Sequence, residues 1–181
     1  MHDTDRRVIY TKKLLRESLM TLMEEKPVGR ISVTELCKGA GVNRGTFYSH
    51  YRQPEDVLAN IEEELFSDIK NILSSQSDIS NINHAVVYAL YRNRDACRVL
   101  ISKNGDPSCM DRILDISKDY FLKNTLPSLD ASTTDTKYLH TFMFSGNVAV
   151  LKEWLSEGAL ISPEEIADVL TNMREKILKN A

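Results

Sequence analysis

Apolar side chains recur at helical spacing from the start of the chain. Val8, Leu15, Leu19 and Leu22 fall within about 60° of one another on a 3.6-residue wheel, with Met23 beside them. The stripe predicts a helix from Thr4 or Asp5 to Lys26, ended by Pro27 and Gly29. Ser32-Val-Thr-Glu35 then has capping-box spacing, in which the serine hydroxyl takes the glutamate amide and the glutamate reaches back. Behind it Val33, Leu36, Cys37 and Ala40 follow i, i+3, i+4, i+7, a short amphipathic second helix bracketed by Gly39 and Gly41. Asn43 is a suitable cap for a third helix running to about Tyr51. Leu58, Ile61, Leu65, Ile69 and Ile72 stripe a fourth, from Pro54 to about Ser74, with Glu62, Glu63 and Glu64 on its outer face.

Polar residues 74–80 form the best joint. Further helices are expected at 82–93, 94–103 and 107–124, broken by Asn104-Gly105 and Leu126-Pro127, with a loop at 130–135. A helix at about 135–157 and a last one opened by Ser162-Pro-Glu-Glu165 complete the pattern. The fold class is therefore all-α, with about nine helices. A three-helix helix-turn-helix unit occupies residues 1–53 and a helical bundle residues 54–181.

Composition narrows this further. Seven Gly and five Pro in 181 residues are few, which argues against sheet sandwiches and for rods with few joints. Nothing approaches the 18 or more apolar residues of a membrane span, and the N-terminus lacks a hydrophobic signal core. Cys37, Cys97 and Cys109 make an odd count without a C-x-x-C pair, pointing to free thiols and a reducing, cytoplasmic setting. No phosphate-loop, dinucleotide, zinc-protease or serine-hydrolase motif is present, and His2, His50, His84 and His140 lack metal spacing. The expectation is no enzyme, no metal and no cofactor.

The net charge of −3 hides an asymmetry. Residues 6–52 hold ten Lys/Arg against four acids, a balance of +6 that leaves −9 for the remainder. A cationic head on an acidic body suits a module that binds a polyanion, although solvated charges alone could cluster this way. The third helix supplies a structural partner for the charge. Phe47 and Tyr51, spaced i, i+4, would plug it into the head's core. Gly45 and Ser49 point the opposite way, flanked by Thr46 and Tyr48, with Arg44 at the N-terminal end and His50 at the margin. Such a face fits a DNA groove: glycine permits close approach, hydroxyls donate to phosphates, and Arg44 can fork onto a guanine.

The run ISVTELCKGAGVNRGTFYSHYRQPEDVL, residues 31–58, resembles the DNA-binding domain of the TetR/AcrR family of bacterial transcriptional regulators. The resemblance implies phosphate contacts from Ser32 and Thr34. It also implies DNA contacts from Arg44, Gly45, Thr46, Tyr48, Ser49 and His50. One position departs: the family often has a phosphate-gripping lysine at the start of the fourth helix, and here Pro54 stands there. Arg52 or the helix dipole is the expected substitute.

The helix at 135–157 is apolar on several faces, with Phe144, Val148, Leu151 and Leu155 on one, Phe142 and Ala149 on another, and Val150 and Trp154 on a third. One small core cannot cover them all, so a second copy of the chain is the economical solution. Ile166, Leu170, Met173 and Ile177 stripe the last helix. These residues are similar in layout to the family's C-terminal domain, whose last two helices pair in a homodimer. The resemblance further implies a small-molecule effector pocket, for which His84, Tyr88, Tyr91, Phe121, His140 and Trp154 are candidate lining residues. The reading is a homodimeric repressor on an inverted-repeat operator in double-stranded DNA, released by an effector. The alternative is a regulator or activator that answers to a partner protein.

Overall fold

In the computed structural model, residues 3–75, 82–106 and 134–179 are described, with isolated positions between 108 and 115. Among them the chain is helical and carries no strand. The α-helices are α1 (Asp3–Glu25), α2 (Val33–Ala40), α3 (Arg44–Tyr48), α4 (Pro54–Ser75), α5 (Ile82–Arg92), α6 (Arg94–Leu100), α7 (Thr134–Ser156) and α8 (Pro163–Leu178). A short 3₁₀ turn, Val28–Arg30, follows Pro27. No helix among the described residues is long and apolar enough to cross a membrane. Most of the expected helix at 107–124, of the loop at 130–135 and of the joint at 74–80 lies outside the described residues; Thr134 and Asp135, expected in the loop, already belong to α7.

Two compact units divide the chain: residues 1–65 with 99–107, and residues 66–98 with 108–181. The first extends beyond residue 53 because the beginning of α4 belongs to it. Val57, Leu58, Ile61 and Leu65 are buried there with Leu15, Leu19, Met23, Leu36 and Phe47. Arg16 of α1 is tied to Glu64 of α4 at 2.6 Å. Glu62, expected on the outer face, is instead buried, while Glu63 and Glu64 are exposed.

The segment after α6 completes this unit. Asn104 Nδ2 donates to the carbonyls of Met23 and Glu24, 3.1 Å each, so it caps the free carbonyls at the end of α1. The helix at 94–103 stops early, at Leu100, where Ser102 donates its hydroxyl to Val99 O at 2.8 Å and tightens the turn. Gly105 is required: a Cβ there would stand 2.0 Å from Leu100 O.

In the second unit α5 lies along α8 through three polar pairs. Asn83 bonds Thr171 at 3.2 Å, His84 Nε2 meets Asp168 at 3.2 Å, and Tyr88 donates to Glu164. Ile166, Ala167 and Leu170 are buried, as are Val87 and Leu90.

Candidate nucleic-acid interface

The geometry of α3 begins with α2. Ser32 Oγ accepts from Glu35 N at 3.2 Å, while the Glu35 carboxylate accepts from Ser32 N at 3.0 Å and Ser32 Oγ at 2.8 Å. Lys26 donates to the same carboxylate at 2.6 Å. These bonds, Lys26 foremost and then Ser32, lower the Glu35 pKa to about 2. At its other end α2 closes in the Schellman pattern. Gly41 takes φ +64°, and Val42 N donates to Cys37 O at 3.0 Å. Gly39 has a different role, a close helix approach: its missing Cβ would stand 2.3 Å from Ser18 Oγ.

Asn43 then starts α3, its Oδ1 accepting from Thr46 N at 2.8 Å and Thr46 Oγ1 at 3.1 Å. The inner face is fixed by Phe47, fully buried, and by Tyr51, whose hydroxyl donates to Asn60 Oδ1 at 2.9 Å. α3 is shorter than expected, because Ser49 caps it and donates its hydroxyl to Thr46 O at 2.7 Å.

The outer face holds Arg44, Gly45, Tyr48 and Ser49, all exposed, with Thr46 and His50 partly covered. Tyr48 is 51% exposed and rests edge-on against Phe47. The Arg44 guanidinium lies 5.9 Å from the Tyr48 ring centroid. Its hydrogen bond with Tyr48 raises the Arg44 pKa. Ser32 and Thr34 are exposed at the start of α2. The expectation that every hydroxyl here donates outward needs correction. The protons of Ser32, Thr46 and Ser49 go to Glu35, Asn43 and the Thr46 carbonyl. Those hydroxyls present lone pairs outward, whereas Thr34 and Tyr48 keep outward donors.

The start of α4 also differs from expectation. Asp56 Oδ2 accepts from Arg52 N at 2.8 Å and Gln53 N at 3.3 Å. A carboxylate of the chain thus occupies the two amides that immediately precede α4. Asp56 stands two residues after Pro54, where a first-turn carboxylate can reach back to the amides before the helix.

The described candidate effector residues are engaged with other groups of the chain. His84 and Tyr88 are spent on Asp168 and Glu164 of α8. Among the described residues His84 Nδ1 is buried without a partner, while Nε2 faces Asp168. Tyr91 stacks on Trp154 with centroids 6.1 Å apart and carries the Arg94 guanidinium 4.7 Å from its centroid. Trp154 is buried and donates Nε1–H to Ile161 O at 3.0 Å. Phe121 and the His140 side chain lie outside the described residues.

The expected interface residues divide in two. Leu155, Ile166 and Leu170 are buried in the chain's own core and offer no surface to a second copy. Phe144, Val148, Leu151 and Ile177 are half-buried and Met173 is exposed. The α8 stripe is continuous, but the chain covers only its N-terminal half. An open groove of about 330 Å³ lies between α7 and α8, with Phe142, Val150, Met173 and Ile177 in its walls. Phe142 is 68% exposed.

Comparison with known proteins places this arrangement. Residues 77–176 match the TetR-type family model described as a transcriptional regulator C-terminal region. The HTH-type transcriptional regulator YxbF of Bacillus subtilis is 21% identical over 171 residues, covering 90% of this chain and 44% of that protein. DhaS of Lactococcus lactis, an HTH-type transcriptional activator of the dhaKLM operon, is 30% identical over 63 residues, covering 35% of this chain and 34% of DhaS. The chain therefore spans less than half the length of either relative. The solved structure of a TetR transcriptional regulator from Streptococcus agalactiae shares the fold, with a TM-score of 0.59 and 23% identity over 94% of this chain and 96% of that one.

Proposed function

The chain belongs to the TetR family of transcriptional regulators, and we propose that it binds an inverted-repeat operator in double-stranded DNA as a homodimer. Each copy lays α3 in a major groove. Arg44 and Tyr48 read base edges, and Thr34, the neighbouring cations and, once their hydroxyls turn from Glu35 and the Thr46 carbonyl, Ser32 and Ser49 set register on phosphates. The observation that carries this reading is the outer face of α3. It is exposed, capped by Asn43 and pinned from behind by Phe47, yet carries an arginine, a phenol, hydroxyls and a glycine in place of Glu and Lys. Two such helices in a dimer must stand about 34 Å apart, or a multiple of it, along the DNA.

Selection of bound sequences from random DNA, followed by titration of Arg44→Ala and Tyr48→Ala on the selected site, tests the assignment. Arg44→Ala is expected to lose about 1–3 kcal/mol of discrimination at one base pair per half-site, with circular dichroism unchanged. Unaltered affinity and selectivity in both variants would sink it.

The regulatory reading is repression by occupancy of the operator. A small molecule bound within residues 54–181 would shift the population toward dimers whose heads no longer match the DNA. A second reading, activation under control of a partner protein, draws on two observations. DhaS is by name an activator, and His84, Tyr88, Tyr91 and Trp154 are engaged with other side chains and backbone. Transcription from the selected operator, with and without a metabolite panel, separates them. Ligand-induced release supports the first, and stimulation that no metabolite alters supports the second.

A further inference from the structure

The start of α4 leaves a gap in the proposed docking face. Pro54 has neither a cationic side chain nor an N–H to offer, and Asp56 fills the amides of Arg52 and Gln53. A phosphate approaching there would meet a carboxylate. Besides Arg52, a cation near the end of α3 comes from a different helix. Lys12, on α1, carries its ammonium 5.9 Å above the centroid of the Tyr51 ring, immediately past the end of α3. That ring is itself fixed, 8% exposed, bonded to Asn60 and packed on Phe47, with the His50 ring on its edge 6.5 Å away.

Lys12 is distinguished from the other α1 cations by what holds it. Arg16, one turn on, is consumed by Glu64 at 2.6 Å. Lys13, on the adjacent face, is paired with Glu17 at 3.8 Å. Lys12 is exposed and, among the described residues, has no carboxylate within ion-pair distance. An ammonium over an aromatic face keeps its charge and its three N–H donors while losing part of its side-chain freedom. It is therefore pre-positioned for an anion beside α3.

We propose that Lys12, parked on Tyr51, is a backbone-phosphate contact flanking the recognition helix, supplying a cation that Pro54 does not. The proposal rests on the docking of α3 described above. Lys12 sets register and affinity and carries no sequence information.

The test compares wild-type protein, Lys12→Met, Lys13→Met and Arg44→Ala on the selected operator and on a scrambled duplex, across a salt series. Methionine retains the packing on the Tyr51 ring and removes only the charge, and an unchanged melting temperature verifies this. Lys12→Met is expected to bind both duplexes more weakly by the same factor, about eightfold per protomer at 0.1 M salt, because a slope of about 0.9 is lost over the decade below 1 M. The slope of log K against log salt should fall by about 0.9 per protomer, with Lys13→Met unchanged on both measures. A Lys12→Met slope equal to wild type overturns the proposal while leaving α3 docking intact, provided Arg44→Ala still loses selectivity. A lowered melting temperature together with an unchanged slope assigns Lys12 to packing and also overturns it. Absence of DNA binding by the wild type removes both readings together.

Discussion

At Gly39 the space that a methyl group would take is already filled. A Cβ there would lie 2.3 Å from Ser18 Oγ, and that hydroxyl donates to Leu36 O at 3.0 Å within the buried crossing of α1 on α2. Gly39→Ala gains helix propensity, about 1 kcal/mol, but must rotate Ser18, break its bond and strain the crossing. The expected balance is a net loss of about 1–2 kcal/mol in denaturant melts. The cause can be isolated because Ser18 Cβ would be 3.4 Å from the new methyl, an ordinary contact. Gly39→Ala placed in a Ser18→Ala background should therefore cost little or even stabilise. An equal loss in both backgrounds would show that the hydroxyl is not the obstacle. Gly41 is glycine for another reason, its φ of +64° in open space, so two glycines two residues apart answer to unrelated constraints.

At the scale of elements, the start of α2 depends on the charge of Glu35. Its carboxylate holds Lys26, Ser32 N and Ser32 Oγ together, and its pKa is lowered from 4.5 to about 2, Lys26 being the largest cause. A depressed carboxylate pKa stabilises the fold above the unfolded value and loses that contribution as pH falls through the folded one. The contribution should therefore be complete above pH 4.5 and disappear as the pH approaches 2. Acid titration followed by circular dichroism should show Glu35→Gln to be less stable at neutral pH, with a shallower decline across that window. Parallel curves for the two proteins would contradict the assignment. Capping boxes, glycine turns and helix stripes were readable from the sequence because each is decided within four or five residues. The bonds hidden from it are long-range. Asn104 caps α1 from 80 residues away, Tyr88 meets Glu164 across 76, and His84 meets Asp168 across 84. Local pattern made Asn104 a helix breaker, and the family resemblance made His84 and Tyr88 candidate pocket residues; only the contact with α1 shows what Asn104 holds, and only the pairing of α5 with α8 shows what His84 and Tyr88 hold.

For the whole molecule, the decisive quantity is how much apolar surface one copy leaves in water. Phe142 is 68% exposed and Met173 47%, both in the walls of the groove between α7 and α8. Each Å² of such surface removed from water contributes about 25 cal/mol, which favours a second copy laid against this face. Glutamate at either position should leave the fold intact, because neither side chain is part of the single copy's core. Leu170→Glu should unfold the second unit, since Leu170 is 1% exposed. If the proposed homodimer forms through this face, Phe142→Glu and Met173→Glu are expected to run as folded monomers in sedimentation at concentrations where the wild type runs as a dimer. Their operator binding should then weaken by about 10²–10⁴, the advantage that tethering two heads confers. Their contacts within one half-site would be untouched, so base preference there should match the wild type. Retention of the dimer by both variants would move the interface elsewhere. Loss of the dimer without loss of operator affinity would mean that one copy of α3 suffices, and the inverted repeat would no longer be required.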